Sequence, residues 1–480
     1  MIRFTFVIFS LGFFSGGYAQ QWIDKKYTYD SILNITYGTS VNFVGSSEDL
    51  KMDLFLPRCE SGTQSNKPLI IFIHGGAFLE GSKNDPSIQN LCKQFARRGY
   101  VTATISYRLG FVPDDIAWNC NYPNYKCVFA TDSAEWIRSY YRAVQDGKGA
   151  LRYLINRHEQ FNIDTTHIFI AGESAGAFTA MGVALLDSSI ERPSQTFAIA
   201  DAPRPSNNAL DCSYSAGKNF GTTISRPDLG QIDGTIEPTN INYTIKGIGN
   251  MYGGMLGNLL QYAKQGKPKP ALYSFHQPCD PVVPIDSNSV YWGLTWCMNN
   301  GYNCFGIINV PRVYGSRTIR DWNNQNNYGY TIRNEFTTKN FPFSFGFPFA
   351  SPGSCLDQVS TPCHAYDNPN LRENQLAEFF AGLNTQPTAC QPATTSVNDL
   401  NQNALIIYPN PVSYQLIIST PSVQKGIINI YDVSGKPVKK EMLFNGKQTT
   451  IETSGLISGL YIIEIKWANK TKTFQKFVKK

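Results

Sequence analysis

The stretch FIAGESAGAF, residues 169–178, holds a serine between two glycines directly after an apolar run. Ser174 lies between Gly172 and Gly176, and the segment that follows is compatible with a helix. A nucleophile elbow needs this strand–turn–helix order, since the glycines let neighbouring backbone pass where a side chain would clash. The pattern therefore predicts that Ser174 is a nucleophile and that the N–H of Ala175 faces a developing oxyanion.

Apolar strands alternate with helical segments on both sides of this stretch. Predicted strands are PLIIFIHGG, YVTATISYR and HIFIAG, followed by strands at 245–250, 271–275 and 329–337. Predicted helices are NDPSIQNLCKQFARRG, with Asn84 or Asp85 as its cap, then 134–157, 175–186 and a closing helix near 370–382. This alternation is typical of an α/β domain with a mostly parallel sheet.

A second motif, HGGAF at residues 74–78, ends the first of these strands. Tandem glycines expose backbone N–H groups, so Gly75 and Gly76 are candidate oxyanion donors. His74 is expected to fix the loop rather than to carry protons, and Phe78 is a candidate substrate contact. The alternative is a glycine turn with a structural histidine, but the order of the two motifs along the chain favours the oxyanion site.

The general base can be approached by elimination, because the chain has five histidines. His167 opens the strand that carries Ser174, so it lies about 20 Å away at the opposite end of the sheet. His158 ends the long helix and is interpreted as a surface or capping residue. His276 ends a strand and is interpreted as structural, which leaves His364 as the candidate base.

The candidate acid is Asp280, in YSFHQPCDPVVP. It follows the strand 271–275, at the end where substrate-facing loops leave a parallel sheet. Its neighbours Pro281 and Pro284 would stiffen this loop, as a buried acid that orients an imidazole requires. Asp286 and Asp357 are the rival acids.

The N-terminus and the cysteines indicate export. Residues 1–19 contain Arg3, an apolar run and small residues, which predicts a signal peptide. Eleven cysteines in an exported chain predict several disulfides and at least one free thiol. The pairings closest in sequence are Cys120–Cys127, Cys297–Cys304 and Cys355–Cys363. No spacing typical of a metal site is present, so no metal is predicted.

The chain divides into a large catalytic part and a small tail. The predicted segments are a catalytic domain at 20–385, with insertions at 187–243 and 285–363 that are expected to form a lid or substrate platform, a linker at 386–403, and a β-sandwich at 404–480. The net charge of +6 is concentrated in the tail, where eleven lysines face four acids. The larger part is near neutral, which argues against nucleic-acid binding, and no later apolar run predicts a transmembrane segment.

Five segments together resemble the α/β-hydrolase esterases of the carboxylesterase and HGG-containing group: PLIIFIHGGAFLEGSKND, ISYRLG, YRAVQDGKGALRYL, IFIAGESAGAF and SFHQPCDPVVP. The resemblance covers most of residues 40–384. It implies a serine esterase with Ser174, Asp280 and His364 as the triad and no cofactor. The tail, with YPNPV and IYDVSGKPV, resembles the C-terminal sorting domain of the type IX secretion system of Bacteroidetes.

These resemblances lead to an expected function. The chain is expected to pass through the periplasm, to engage the type IX machinery, and to be secreted or attached to the cell surface. There it would hydrolyse carboxylic esters, either small esters, feruloyl or acetyl esters of polysaccharides, or aromatic polyesters. The rival from another class is an esterase-like surface binding protein.

Overall fold

The computed structural model describes residues 22–58, 66–112, 133–204, 221–262, 268–292, 310–338, 362–386, 405–468 and 471–480. The chain divides into two compact units, residues 1–391 and residues 392–480. The predicted signal peptide and most of the predicted linker lie outside the described residues.

An eight-stranded sheet forms the centre of the first unit, in the order β1-β2-β4-β3-β5-β6-β7-β8. Its strands are β1 (Thr28–Val41), β2 (Ser47–Arg58), β3 (Lys67–Ile73), β4 (Val101–Ile105), β5 (Ile163–Glu173), β6 (Ile245–Met251), β7 (Ala271–His276) and β8 (Ile332–Phe336). β1 pairs antiparallel with β2, and β2 pairs antiparallel with β4. The six strands β3 to β8 are parallel to one another. The predicted fold class is confirmed.

Helices cover both faces of this sheet because its central strands are apolar on both sides. In β3, Leu69, Ile71 and Ile73 pack into one hydrophobic cluster, while Ile70 and Phe72 pack into another on the opposite face. The helices are α1 (Pro86–Ala96), α2 (Ser133–Asn156), α3 (His158–Phe161), α4 (Ala175–Leu185), α5 (Ser316–Gln325) and α6 (Pro369–Leu383), with 3₁₀ turns at Ser189–Glu191, Ser194–Thr196, Leu259–Tyr262 and Pro362–His364. Residues of α2 and α4 belong to the first cluster, and residues of α1 and α6 to the second.

The cap of α1 illustrates how local chemistry sets an element's start. Asp85 accepts hydrogen bonds from the N–H groups of Ser87 and Ile88, and Pro86 takes the first helical position. Both features stabilise a helix N-terminus, because the first N–H groups have no partner within the helix. Of the two predicted caps, Asn84 and Asp85, the structure uses Asp85.

The described parts of residues 187–243 lie along α2. Arg138 donates to the carbonyl oxygens of Gln195 and Phe197, each at 2.9 Å, and Arg152 donates to Ile236 O at 2.9 Å. This cover explains why almost the whole of α2 is buried, charged residues included. The segment is thus anchored to a helix of the body over much of its described length.

Part of the second predicted insertion, 285–363, belongs to the body of the fold. It contains α5 and β8, the last strand of the main sheet. It also contributes Ser287–Ser289 and Arg312–Gly315 to a small three-stranded sheet with Gly254–Met255. Another short pair joins Ala202–Pro203 to Thr223–Ile224.

The second unit is a five-stranded antiparallel sheet of β9 (Ile406–Tyr408), β10 (Gln415–Asp432), β11 (Pro437–Glu452), β12 (Gly459–Trp467) and β13 (Lys472–Lys479). The long strand β10 pairs with β9, β11 and β12. Its own core includes Leu416, Ile428 and Ile463, all fully buried. The predicted small C-terminal β-sandwich domain is confirmed as a separate antiparallel β unit.

Candidate active site

Ser174 lies on a strained turn between β5 and α4. Its φ of +52° is in the left-handed region, which costs a non-glycine residue about 1–3 kcal/mol. The turn packs tightly on its neighbours: a Cβ on Gly176 would lie 2.1 Å from Ile73 O, and one on Gly172 would lie 2.2 Å from Gly176 O. Only glycine fits at these two positions, so the GESAG motif is explained by backbone contact.

His364 bridges the candidate nucleophile and the candidate acid. Its Nε2 lies 2.8 Å from Oγ of Ser174, and its Nδ1 lies 2.7 Å from Oδ2 of Asp280. These residues come from three separate places in the sequence: the end of β5, the loop after β7 and the 3₁₀ turn before α6. His364 therefore lies within hydrogen-bond distance of both other predicted triad residues.

The carboxylate of Asp280 is fully buried and well supplied with donors. Oδ1 accepts hydrogen bonds from the N–H groups of Val282 and Val283, and Oδ2 lies 3.2 Å from Nε2 of His276 as well as near His364. Burial alone would raise the pKa of Asp280, but the charge of His364 and the hydrogen bonds from both histidines outweigh it and lower the pKa. Asp280 is therefore ionised at neutral pH.

The two rival acids differ in their surroundings. Asp286 forms an exposed ion pair with Arg317 at 2.7 Å. Asp357 lies outside the described residues.

Two of the other histidines lie away from Ser174. His167 contacts Asp164 and Thr385 in the first half of β5, and His158 contacts Ile155 O near the end of α2.

The HGGAF turn lies beside the nucleophile. A Cβ on Gly75 would be 3.2 Å from Cβ of Ser174, so the glycine leaves space next to the serine. Gly76 has a φ of +103°, and a Cβ there would clash with Glu80 O at 2.2 Å. Gly75 lies beside Ser174, and Ala175 follows it at the first position of α4. The N–H groups of Gly75, Gly76 and Ala175 remain the candidate oxyanion donors.

His74 stabilises the HGGAF turn. Its Nδ1 donates to Gly75 O at 2.7 Å, and its ring stacks on Tyr107 with centroids 4.4 Å apart. The Tyr107 hydroxyl donates to His74 O at 3.0 Å. Burial lowers the pKa of His74 to about 4, so the ring is neutral above that pH. The geometry agrees with the predicted loop-fixing role.

Phe78 does not face a surface open to substrate. It is fully buried, and its ring packs edge-on against Trp136 at 4.9 Å and near Tyr107 and Tyr140. The reason is a second strained turn, since Ala77 and Phe78 both have positive φ, which directs the chain back into the core. The interpretation of Phe78 as a substrate contact is thus replaced by a packing role under the HGGAF turn.

Glu173, next to the nucleophile, is buried in a polar pocket that the sequence did not reveal. The Ser87 hydroxyl, from the first turn of α1, donates to Oε1 of Glu173. Burial raises the pKa of Glu173, while hydrogen bonds from Ser87 and Tyr252 oppose the shift. The ring of Tyr252 in turn contacts the ring of His364 edge-on, with centroids 5.0 Å apart.

One predicted disulfide is wrong. Cys363 pairs with Cys279 and not with Cys355, and the two Cα atoms are 5.4 Å apart across 84 residues of sequence. Nearness in sequence misled the prediction, because the partners are brought together by the contact between two loops. Cys92 is a buried free thiol, as expected for an odd number of cysteines. The pairs Cys120–Cys127 and Cys297–Cys304 lie outside the described residues.

The remaining described surface gives little indication of other ligands. No group of His, Cys, Asp and Glu in the described ranges is arranged to hold a metal ion. Two clefts, of about 370 Å³ and 630 Å³, are lined by residues other than Ser174, Asp280 and His364. None of the helices described here has the length and hydropathy that a membrane crossing needs.

Two family models match separate parts of this chain. Residues 52–114 and 133–209 match the BD-FAE family model, which spans β2 to α4 and includes both the HGGAF turn and the elbow. These two segments of the first unit are similar to the BD-FAE family, and together they make up less than a third of the chain. Residues 406–480 match the secretion system C-terminal sorting domain, which covers all five strands of the second unit.

Individual curated proteins match this chain over limited lengths. A "Crystal protein" of Dictyostelium discoideum is 31% identical over 141 residues, which is 29% of this chain and 22% of that protein. Phenmedipham hydrolase of Pseudarthrobacter oxydans is 30% identical over 136 residues, 28% of this chain and 23% of that protein. The chain thus spans about a fifth of the length of these curated relatives. Among solved structures, esterase B of Lactobacillus rhamnosis, inhibited by a tributyrin phosphonate, is 15% identical with a TM-score of 0.34, covering 76% of this chain and 89% of that one.

Proposed function

We propose that the first unit is a carboxylic ester hydrolase that works through an acyl-enzyme on Ser174. The observation that carries the proposal is the bridging position of His364, with Nε2 at 2.8 Å from Oγ of Ser174 and Nδ1 at 2.7 Å from Asp280. In this arrangement Nδ1–H donates to the carboxylate, which leaves Nε2 free to accept the serine proton. The BD-FAE match and the hydrolase name of a relative support the same reaction class.

The reaction has two steps. Ser174 Oγ attacks the ester carbonyl while His364 takes its proton, and backbone N–H groups of Gly75, Gly76 and Ala175 bind the oxyanion. His364 then protonates the leaving alcohol. Water, activated by the same imidazole, hydrolyses the acyl-enzyme and regenerates the serine. Asp280 stays ionised throughout, because its lowered pKa keeps it charged beside the imidazolium.

Three substrate classes fit this mechanism: small acyl esters, feruloyl or acetyl esters of polysaccharides, and aromatic polyesters. The sorting-domain match of residues 406–480 supports export through the type IX system and a place outside the cell or on its surface. Such a location favours external material as substrate. A chain lacking residues 406–480 should accumulate in the periplasm, which fractionation would measure.

The decisive experiment compares the wild-type protein with Ser174→Ala on nitrophenyl esters of increasing chain length, feruloyl and acetyl esters, and a polyester film. Removing the nucleophile should lower kcat by roughly 10⁶-fold without loss of the fold. An alkyl phosphonate should label Ser174, which peptide mass spectrometry locates. Near-normal turnover by Ser174→Ala would disprove the assignment, while no hydrolysis of any ester by wild type would favour a binding protein with an esterase-like body.

A further inference from the structure

Both half-cystines of the disulfide stand directly beside triad residues. Cys279 precedes Asp280, and Cys363 precedes His364. The bond therefore joins the loop that carries the acid to the turn that carries the base. Both cysteine side chains are fully buried, so the link lies inside the protein beneath the site.

Few other contacts tie these two segments together in the described structure. The hydrogen bond between His364 and Asp280 is one, at 2.7 Å, and Gln277 Nε2 donates to Ala365 O at 3.0 Å. His364 itself lies in a 3₁₀ turn of only three residues, Pro362–His364. The imidazole also contacts the ring of Tyr252 and the Ser174 hydroxyl, but among the links between its turn and the acid's loop the disulfide is the covalent one.

We propose that Cys279 and Cys363 are positioning residues of the triad, and that efficient ester hydrolysis requires their disulfide. The inference rests on the proposed function. Without the bond, the chain keeps its sheet and helices, but the turn with His364 is free to shift relative to Asp280 and Ser174. A displacement of about 1 Å in a catalytic group costs on the order of 100-fold in rate, since acyl transfer needs a defined approach.

The requirement links activity to the redox compartment. Two thiols form the bond by exchange with an oxidised dithiol or oxidised glutathione: each thiol loses its proton, and the electron pair reduces the incoming disulfide to two thiols. Disulfides form in the periplasm and outside the cell, and are kept reduced in the cytosol. A chain still in the cytosol would therefore have an impaired triad, and the hydrolase would mature only after export.

A purely stabilising disulfide makes a different prediction. Closing a loop of 84 residues restricts the unfolded chain, which raises the melting temperature whatever the position of the bond. Such a role leaves kcat unchanged at temperatures well below melting. A positioning role lowers kcat in the folded protein, with a smaller effect on KM, and alters the pH profile that the His364–Asp280 pair sets.

The test compares wild type with Cys279→Ala/Cys363→Ala, using Cys92→Ala as the matched control because Cys92 is a buried free thiol. All proteins are assayed at one temperature, about 20 °C below the lowest of their melting temperatures, which is well outside the shift of a few degrees that each kcal/mol produces. The double variant should lose about 100-fold in kcat and show a changed pH–kcat/KM profile, as expected for a displaced catalytic group. The control should keep both. Equal kcat and pH profile in the double variant and wild type would overturn the proposal.

A second measurement covers the case in which the double variant does not fold. Wild-type chain made without export is purified under dithiothreitol, then oxidised with a glutathione mixture while activity and the Cys279–Cys363 peptide are followed by mass spectrometry. Activity should rise in step with this peptide, and single Cys279→Ala chain treated in the same way should show no such rise. Full activity before the bond forms would overturn the proposal. Absence of activity in the fully oxidised wild type would instead contradict the proposed function itself.

Discussion

His276 and Asp280 form a second imidazole–carboxylate contact beside the triad, with Nε2 of His276 3.2 Å from Oδ2 of Asp280. The same nitrogen lies 2.9 Å from the carbonyl oxygen of Val283, and the other ring nitrogen lies 3.0 Å from the Ser316 hydroxyl. Because a carbonyl oxygen only accepts, Nε2 carries the hydrogen and Nδ1 accepts from Ser316. The N–H at Nε2 of His276 therefore points a donor at the carboxylate of Asp280.

Replacing His276 should weaken catalysis through Asp280. In His276→Leu the pKa of Asp280 should rise, because one of the donors that lower it is lost, and the acid limb of the pH–kcat/KM profile should move to higher pH. A lost hydrogen bond to a charged group is worth about 1.5–3 kcal/mol, so kcat/KM should fall about 10- to 100-fold. His276→Gln should recover part of it.

The control for this experiment is His158→Gln, which changes a histidine near the end of α2 that contacts only a backbone carbonyl among the bonds described for its ring. Its pH profile should match wild type. An unchanged acid limb in His276→Leu would show that His276 does not act on Asp280.

Glu173→Gln should change how stability depends on pH. Burial raises the pKa of Glu173 in the folded state, so the folded protein holds this proton more tightly than the unfolded chain does. Its contribution to stability is full below the ordinary glutamate pKa of about 4.3 and is lost as pH rises through the folded-state value. Gln cannot ionise, so the melting temperature of the variant relative to wild type should increase as pH rises. Parallel melting curves from pH 5 to 9 would contradict this.

Gly176→Ala should disrupt the elbow. The new Cβ would lie 2.1 Å from Ile73 O and 2.5 Å from His74 O, and both are backbone atoms that cannot rotate away. Overpacking of this kind costs about 1–3 kcal/mol of stability, and displacement of Ser174 should remove most activity. Gly382→Ala in α6 is the control, since its Cβ meets nothing within 4 Å and a helix favours alanine. Full activity in Gly176→Ala, measured by ester hydrolysis, would show that the turn tolerates a shift.

Removal of the second unit should leave hydrolysis intact. Each unit has its own hydrophobic clusters, and all three proposed triad residues lie in the first unit. A chain ending at residue 391 should therefore show the kcat and KM of the full chain on a soluble ester. A large loss of kcat in a folded truncated protein would indicate that the second unit contributes to the site.

Much of the fold was predictable because its signals are local. The apolar run of β3, the Asp85–Pro86 start of α1 and the glycines around Ser174 each reflect a constraint within a few residues. The candidate triad could also be predicted from the sequence. This fold places nucleophile, acid and base in a fixed order along the chain, and the chain has only five histidines to choose from.

The disulfide and the direction of Phe78 depend on contacts that short-range patterns do not carry. Cys279 and Cys363 meet only when two loops 84 residues apart fold together. Phe78 points inward because consecutive residues adopt positive φ, which no residue type at Ala77 or Phe78 signals. A clue was present in the sequence, since each of these two cysteines directly precedes a triad candidate.

Gly176 packs against the carbonyl oxygens of Ile73 and His74, so the GESAG and HGGAF motifs are in direct backbone contact, although about a hundred residues separate them. A mutation that widens one motif displaces the backbone of the other, so the nucleophile and the anion-binding turn move together. Directed evolution of this chain would therefore gain more from randomising the surrounding loops than from varying either motif alone. Reshaping the elbow itself would call for paired changes on both sides of this contact.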